Sequence, residues 1–151
     1  MTEFIGGEVK SDAVLDVLGK IVQLGGNTEP AMRQIAGYME NEVRLGFKFS
    51  RTPWGEPWAP IKHRQGQPLI DSRTLLGSIN SAYGADFAEV GTNSEYAGIH
   101  QFGGYTGKNK TAKIPARAYL PIEGDEVSLP DHWEGEILGI LAKVLDGISN
   151  G

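Results

Sequence analysis

The chain has 151 residues, 40% of them hydrophobic, enough for one domain over 1–151 with a real core. Its net charge of −5 argues against a dedicated nucleic-acid binder, which carries a basic excess, and with no cysteine it has no disulfide, thiolate metal site or cysteine nucleophile. No run of about 18 apolar residues occurs, and MTEFIGGEVK lacks the basic start and apolar stretch of a signal peptide, so a soluble protein made in the cytoplasm is expected.

Residues 3–9 suggest a short strand, weakened by Gly6 and Gly7. Ser11 or Asp12 then caps a helix whose Val14, Val17, Leu18 and Ile21 share one face, and Gly25-Gly26 ends it. Thr28 is placed to cap a second helix, with Glu29 and Pro30 in its first turn. Met32, Ile35, Met39, Val43 and Phe47 recur at spacings of three and four, which predicts a long amphipathic helix ending near Lys48 or Phe49. Four prolines and two glycines between Ser50 and Pro68 stop regular structure there. Trp54 and Trp58 lie in that loop, and each is expected to pack on the long helix or on a neighbouring subunit.

Asp71 or Ser72 can cap a single turn holding Leu75 and Leu76. Ile79, Ser81 and Tyr83 alternate, Gly84-Ala85-Asp86 turns, and Phe87 to Val90 returns, so a hairpin is predicted. SEYAGIHQFG (94–103) reads as a short helix, with Tyr96, Ile99 and His100 near one face and Gly103 past its end. Residues 103–113 have little to bury and predict a mobile loop, and IPARAYLPI (114–122) predicts an extended apolar segment. Pro130 and Asp131 open a C-terminal helix with a stripe at Trp133, Ile137, Ile140, Leu141, Val144 and Leu145. The expected fold is α+β, a small antiparallel sheet with N-terminal helices and a C-terminal helix packed on it.

Chemistry-bearing patterns are scarce. His63, His100 and His132 show no H-x-x-x-H or H-E-x-x-H spacing, so no metal is expected, and no cofactor. A G-x-S-x-G elbow is missing, and GGYTGKNK (103–110) has the composition of a phosphate loop without its spacing. His100 therefore reads as a hydrogen-bonded structural residue, because a base needs a partner constellation. The charges are more informative. Lys108, Lys110, Lys113 and Arg117 fall in a stretch without acids, and six acids including Glu123, Asp125 and Glu126 follow without Lys or Arg. Either these are two solvated faces, or the basic stretch of one copy meets the acidic stretch of the next, head to tail.

Five segments in register carry a resemblance: WGEPWAPI (54–61), LIDSRTLLGSI (69–79), EVGTN (89–93), YAGIHQFGG (96–104) and IPARAYLPI (114–122). In this order and spacing the chain resembles the phage virion morphogenesis family, the tail completion proteins that include the Mu G-like proteins, over roughly residues 8–145. It departs at Asp71-Ser72-Arg73-Thr74-Leu75, where the family often has a glycine, and at Tyr119, where it often has Phe.

The resemblance implies a non-enzymatic virion protein forming a ring, expected to be a hexamer, at the head–tail junction or tail top. Its partners would be further copies of itself and adjacent connector, neck or tail tube proteins, with DNA passing in the lumen and no membrane. Trp54, Trp58, Tyr96, His100, Gln101 and Phe102 are then candidate contact residues, together with the two charged stretches. In YAGIHQFGG, Tyr96, Ile99 and Phe102 would pack the short helix down, and His100 and Gln101 would supply hydrogen bonds that fix the turn or the subunit contact. The apolar groups near Ile114, Tyr119 and Leu120 would supply most of the energy holding copies together. Two alternatives stay open: a small virion-associated hydrolase using His100, and an assembly factor absent from the finished particle.

Overall fold

Ser11 starts the first helix, its Oγ accepting from Val14 N at 3.2 Å, and α1 runs Asp12–Gln23. It ends where Gly25 takes a left-handed φ of 77°. The computed structural model describes residues 5–8, 11–59, 77–85, 87–92, 101–106, 112–114, 116–123 and 126–150. The expected turn at 71–76, most of the short helix at 95–102, the tip at 107–111, and Tyr96, His100, Lys108, Lys110 and Asp125 lie outside the described residues.

α2 spans Glu29–Phe49 and buries Met32, Ile35, Ala36, Met39, Val43 and Phe47, the stripe that its spacing predicts. Its cap differs from expectation. The Thr28 side chain accepts no hydrogen bond from the helix, and its hydroxyl instead donates to Ala85 O in a distant turn. Asn27 takes the local role, its Oδ1 accepting from Glu29 N at 3.1 Å. A hydroxyl that can tie two segments together has been used for that tie, and a neighbouring amide serves the helix end. Ser50 closes α2 in a left-handed conformation with φ 55°.

Three strands form one antiparallel sheet in the order β1 (Ile5–Glu8), β3 (Ala88–Thr92), β2 (Asn80–Tyr83). Ala88 and Val90, with Ile79 just before β2, face the core and pack under α2. The expected inward run Ile79, Ser81, Tyr83 holds only at its start, since Tyr83 is 43% exposed. By Tyr83 the strand has reached the first turn of α2, and an open cavity of about 530 Å³ separates them, lined by Asn27, Glu29, Pro30, Arg33, Gln34 and Tyr83.

The stretch expected as a mobile loop has paired ends. β4 (Gly104–Thr106) and β5 (Ala112–Ile114) form an antiparallel hairpin, with Gly104 opposite Ile114. Backbone pairing gives no apolar signal, so composition alone reads it as loop. A smaller hairpin follows from β6 (Ile122–Glu123) and β7 (Glu126–Val127).

The last helix, α3 (Asp131–Asn150), buries Trp133, Ile137 and Leu141 and packs on α1 and α2. Trp133 meets Tyr38 of α2 edge to face at 6.4 Å. The architecture is α+β, with helices at both ends and small antiparallel sheets between them.

Where α1 ends, a methyl group on Gly26 would run into Ile148 of α3 and lie 2.7 Å from Ile21 Cγ2. Gly26→Ala should therefore cost about 1–3 kcal/mol by overpacking. Gly19→Ala, in mid-helix with nothing within 4 Å, should stabilise by about 0.5–1 kcal/mol. Urea denaturation of the two variants checks both signs.

Candidate functional site

Trp54, Trp58, Gln101 and Arg117, all singled out by sequence, meet one strap, the irregular residues 116–121 and 128–130 that flank the β6–β7 hairpin and lead into α3. On one side lies the loop after α2. Thr52 N donates to Glu56 O at 2.7 Å and Gly55 N to Thr52 O at 3.0 Å, closing a tight turn in which Gly55 has φ 95°. Trp58 N donates to Ser50 O at 2.8 Å, bringing the second tryptophan back over the end of α2. Trp58 is buried edge to face on Phe47 at 5.5 Å, so it packs on the long helix. Its Nε1 donates to Ala118 O at 2.7 Å, while the half-buried Trp54 donates to Ser128 O at 3.1 Å. Arg117 returns the connection, Nε donating to Ala59 O at 2.9 Å. Three side chains therefore staple the loop to the strap.

On the other side is Gln101, only 2% exposed. Its Nε2 donates to Leu120 O at 3.0 Å and Ile122 O at 3.1 Å. Its Oε1 accepts from Tyr119 N at 3.0 Å and Leu120 N at 2.9 Å. Both amide protons are used, and the oxygen accepts twice, so the side chain is saturated. Gln101 fixes the turn from inside the subunit and is not placed to reach a neighbour.

Two further expectations change. Phe102 does not pack the short helix down; it is 44% exposed, since the buried position next to it is taken by Gln101. Tyr119 and Leu120 are 1% and 0% exposed, inside the subunit core, with Tyr119 against Phe47 at 5.4 Å. They cannot supply the energy that holds separate copies together. Among the described residues, the large apolar side chains near the strap that do reach solvent are Phe102 and Val127.

The acidic stretch divides. Glu123 and Glu126 sit directly opposite each other in the β6–β7 hairpin, both exposed. Like charges in that relation destabilise a hairpin in isolation. The strap holds it in place through Ser128, whose N donates to Pro121 O at 2.8 Å and whose Oγ donates to Glu123 Oε1 at 3.4 Å. Asp131, Glu134 and Glu136 lie in the first turns of α3, where they suit the helix dipole. Of the basic stretch, Lys113 is on β5 and Arg117 is committed to Ala59.

Among the described residues no group of three His, Asp or Glu is arranged to hold a metal. His132 is exposed, with Nε2 3.8 Å from Glu42 Oε2. Sequence reasoning missed Tyr38, whose hydroxyl is pushed up to about 12 by burial, then by the charges of Glu42 and Glu136 and a hydrogen bond with Glu42. It also missed the cavity beside Tyr83 and Arg33, because its lining comes from segments about fifty residues apart.

The arrangement is a rigid scaffold that presents charged hairpins, and the class it belongs to is that of phage structural or assembly proteins. The chain belongs to the phage virion morphogenesis family, whose model matches residues 9–146. It is similar to Mu-like prophage FluMu G protein 2 of Haemophilus influenzae, 42% identical over 107 residues, covering 71% of this chain and 75% of that protein. FluMu G protein 1 of the same organism is 31% identical over 108 residues, covering 64% of this chain and 69% of the relative. Putative capsid assembly protein G of Escherichia phage Mu is 33% identical over 75 residues, covering 46% of this chain and 48% of the relative. No solved structure matches the chain.

Truncating the buried indole in Trp58→Ala should cost about 3–5 kcal/mol, and Trp54→Ala, half-exposed, clearly less. Gln101→Leu takes this partner from the buried Tyr119 N, Leu120 N and Ile122 O and should cost at least about 2 kcal/mol, read from thermal or urea midpoints. Alkaline pH offers a separate check. Burial pushes the Tyr119 hydroxyl well above its ordinary 10. The unfolded chain releases that proton near pH 10 while the folded chain keeps it, so stability is intact below pH 10 and falls as pH rises above it. Tyr119→Phe should make that fall shallower by up to about 1.4 kcal/mol per pH unit, measured by urea unfolding between about pH 9 and about pH 12.

Proposed function

We propose that this chain is a non-enzymatic structural subunit that forms a homo-oligomeric ring at the head–tail junction or tail top and joins or completes the tail. The observation that carries this reading is the use of the family's most recognisable side chains. Trp54, Trp58 and Gln101 are spent on internal staples around the strap, which holds a charged hairpin at the surface.

Segregated charge supports a head-to-tail contact. The stretch with Lys108, Lys110, Lys113 and Arg117 of one copy would face the stretch with Glu123, Asp125 and Glu126 of the next. Exposed pairs contribute only about 0–1 kcal/mol each, so charge would steer and register the ring. Exposed apolar groups such as Phe102 and Val127 would contribute holding energy. Neighbouring connector and tail tube proteins would stack on the ring, and DNA would pass through its lumen. The name of the Mu relative, a putative capsid assembly protein, also suits a factor that leaves before the particle is finished.

Reversing Lys108, Lys110 and Lys113 to Glu should leave the fold intact and block the joining of heads to tails. Adding lysines at Glu123, Asp125 and Glu126 should restore it. Electron microscopy of lysates, with mass spectrometry of purified particles, reads both. Normal particles from the triple reversal would defeat the electrostatic contact, and particles lacking the chain would favour the assembly factor. Clearing of cell-wall material that His100→Ala abolishes would favour a hydrolase.

A further inference from the structure

The two edges of the three-stranded sheet are not equivalent. Gly84 N donates to Phe87 O at 2.9 Å, which makes residues 84 and 87 a hydrogen-bonded pair at the β2–β3 turn. Bonded and non-bonded pairs alternate along an antiparallel ladder. With Tyr83 opposite Ala88 and Ser81 opposite Val90, Asn80 and Ala82 bond to β3. Ile79, Ser81 and Tyr83 therefore turn their backbone groups to the outer edge. Two of those groups are already taken. Asn80 Oδ1 accepts from Ser81 N at 3.0 Å, and Arg44 Nη2 donates to Ile79 O at 3.1 Å. The β2 edge is blocked by one side chain of its own and one from α2, a defence against unwanted pairing.

The β1 edge follows from the same alternation. β3 turns Ala88, Val90 and Thr92 toward β1, where Gly7 lies opposite Val90 and Ile5 opposite Thr92. Ile5 and Gly7 thus carry the bonds to β3, and the backbone groups of Gly6 and Glu8 face away from it. Among the described residues no strand lies beyond β1. An open edge of this kind accepts another strand through main-chain hydrogen bonds.

We propose that β1 pairs with β1 of a second copy, antiparallel, about a two-fold axis at Gly7. With Gly6 opposite Glu8 of the second copy, both outward-facing residues are used twice across the axis. Sliding the strands by two residues either way keeps only one such pair within the strand. The central pair is then glycine opposite glycine. It is of the non-bonded kind, in which Cα atoms approach to about 4.5 Å and side chains would crowd most. Paired glycines weaken a strand's interior, and a second backbone at close range is what such positions accommodate. The contact is isologous and closes at two copies, so it does not depend on the head-to-tail ring.

The chain has no cysteine, so Gly7→Cys carries a single thiol, and a spacing of about 4.5 Å suits a disulfide. Mild oxidation of purified Gly7→Cys should give mostly a cross-linked dimer, and Ser81→Cys, on the blocked edge, mostly monomer. Gly6→Pro removes an outward donor and spares the bonds of Ile5 and Gly7 to β3. In the Gly7→Cys background it should abolish cross-linking. In the otherwise native chain it should reduce the sedimenting species from two copies to one, with unchanged circular dichroism. If Gly7→Cys does not cross-link, or Gly6→Pro leaves the native sedimentation unchanged, the proposal fails. Cross-linking in a mixture of Gly7→Cys and Ala82→Cys chains, absent from either alone, would overturn it in favour of a sheet continued head to tail. These readouts use purified protein, so failure to join tails leaves them unaffected.

Discussion

Gln101 makes the buried strap possible. Among the described residues no strand lies beside residues 119–121, yet Tyr119 and Leu120 are fully buried. Their backbone groups would be orphaned there at a cost of about 1–3 kcal/mol each. One side-chain amide serves Tyr119, Leu120 and Ile122 together, as a partner strand would. Hydrogen bonding at this single residue lets an irregular segment contribute its apolar side chains to the core.

The rest of the site is arranged around that clamp. Trp58 brings Phe47 and Ala118 together, Arg117 reaches back to Ala59, and Trp54 holds the far end at Ser128. The strap is thus held from two sides, and the β6–β7 hairpin leaves it in a defined direction. Glu123 and Glu126 oppose each other at its surface, a local cost that the staples offset. A protein whose role is to be joined to others benefits from presenting charge on a stiff support, because less ordering entropy is lost on assembly.

Edges and hairpins differ in how much of their surface is already committed within the subunit. The β2 edge spends Asn80 and Arg44 on its own backbone, whereas β1 carries none of that protection among the described residues. The charged stretches lie elsewhere in the chain, near β4–β5 and β6–β7. Different contacts can therefore be made by different parts of one small subunit without competing for the same groups.

Helices were legible in the sequence because amphipathic periodicity is a local property: the stripes of α1, α2 and α3 follow directly from residue spacing. That Trp58 packs on the long helix was legible as one of two options, since a large apolar group needs cover wherever the chain runs, whereas Tyr119 and Leu120 were expected between copies and lie inside the subunit. Tertiary structure alone decided what each polar group does. Thr28 looked like a cap and ties a turn 57 residues away; Gln101 could fix the turn or a subunit contact and is a buried clamp on the turn; Phe102 looked buried and is exposed. A hydrogen-bonding side chain has several local partners of similar energy, and long-range packing selects among them. Backbone pairing in β4–β5 left no apolar trace, so only the fold could reveal it. What the residues determined by themselves is where apolar area must go; which donor meets which acceptor depends on what packing brings within about 3 Å.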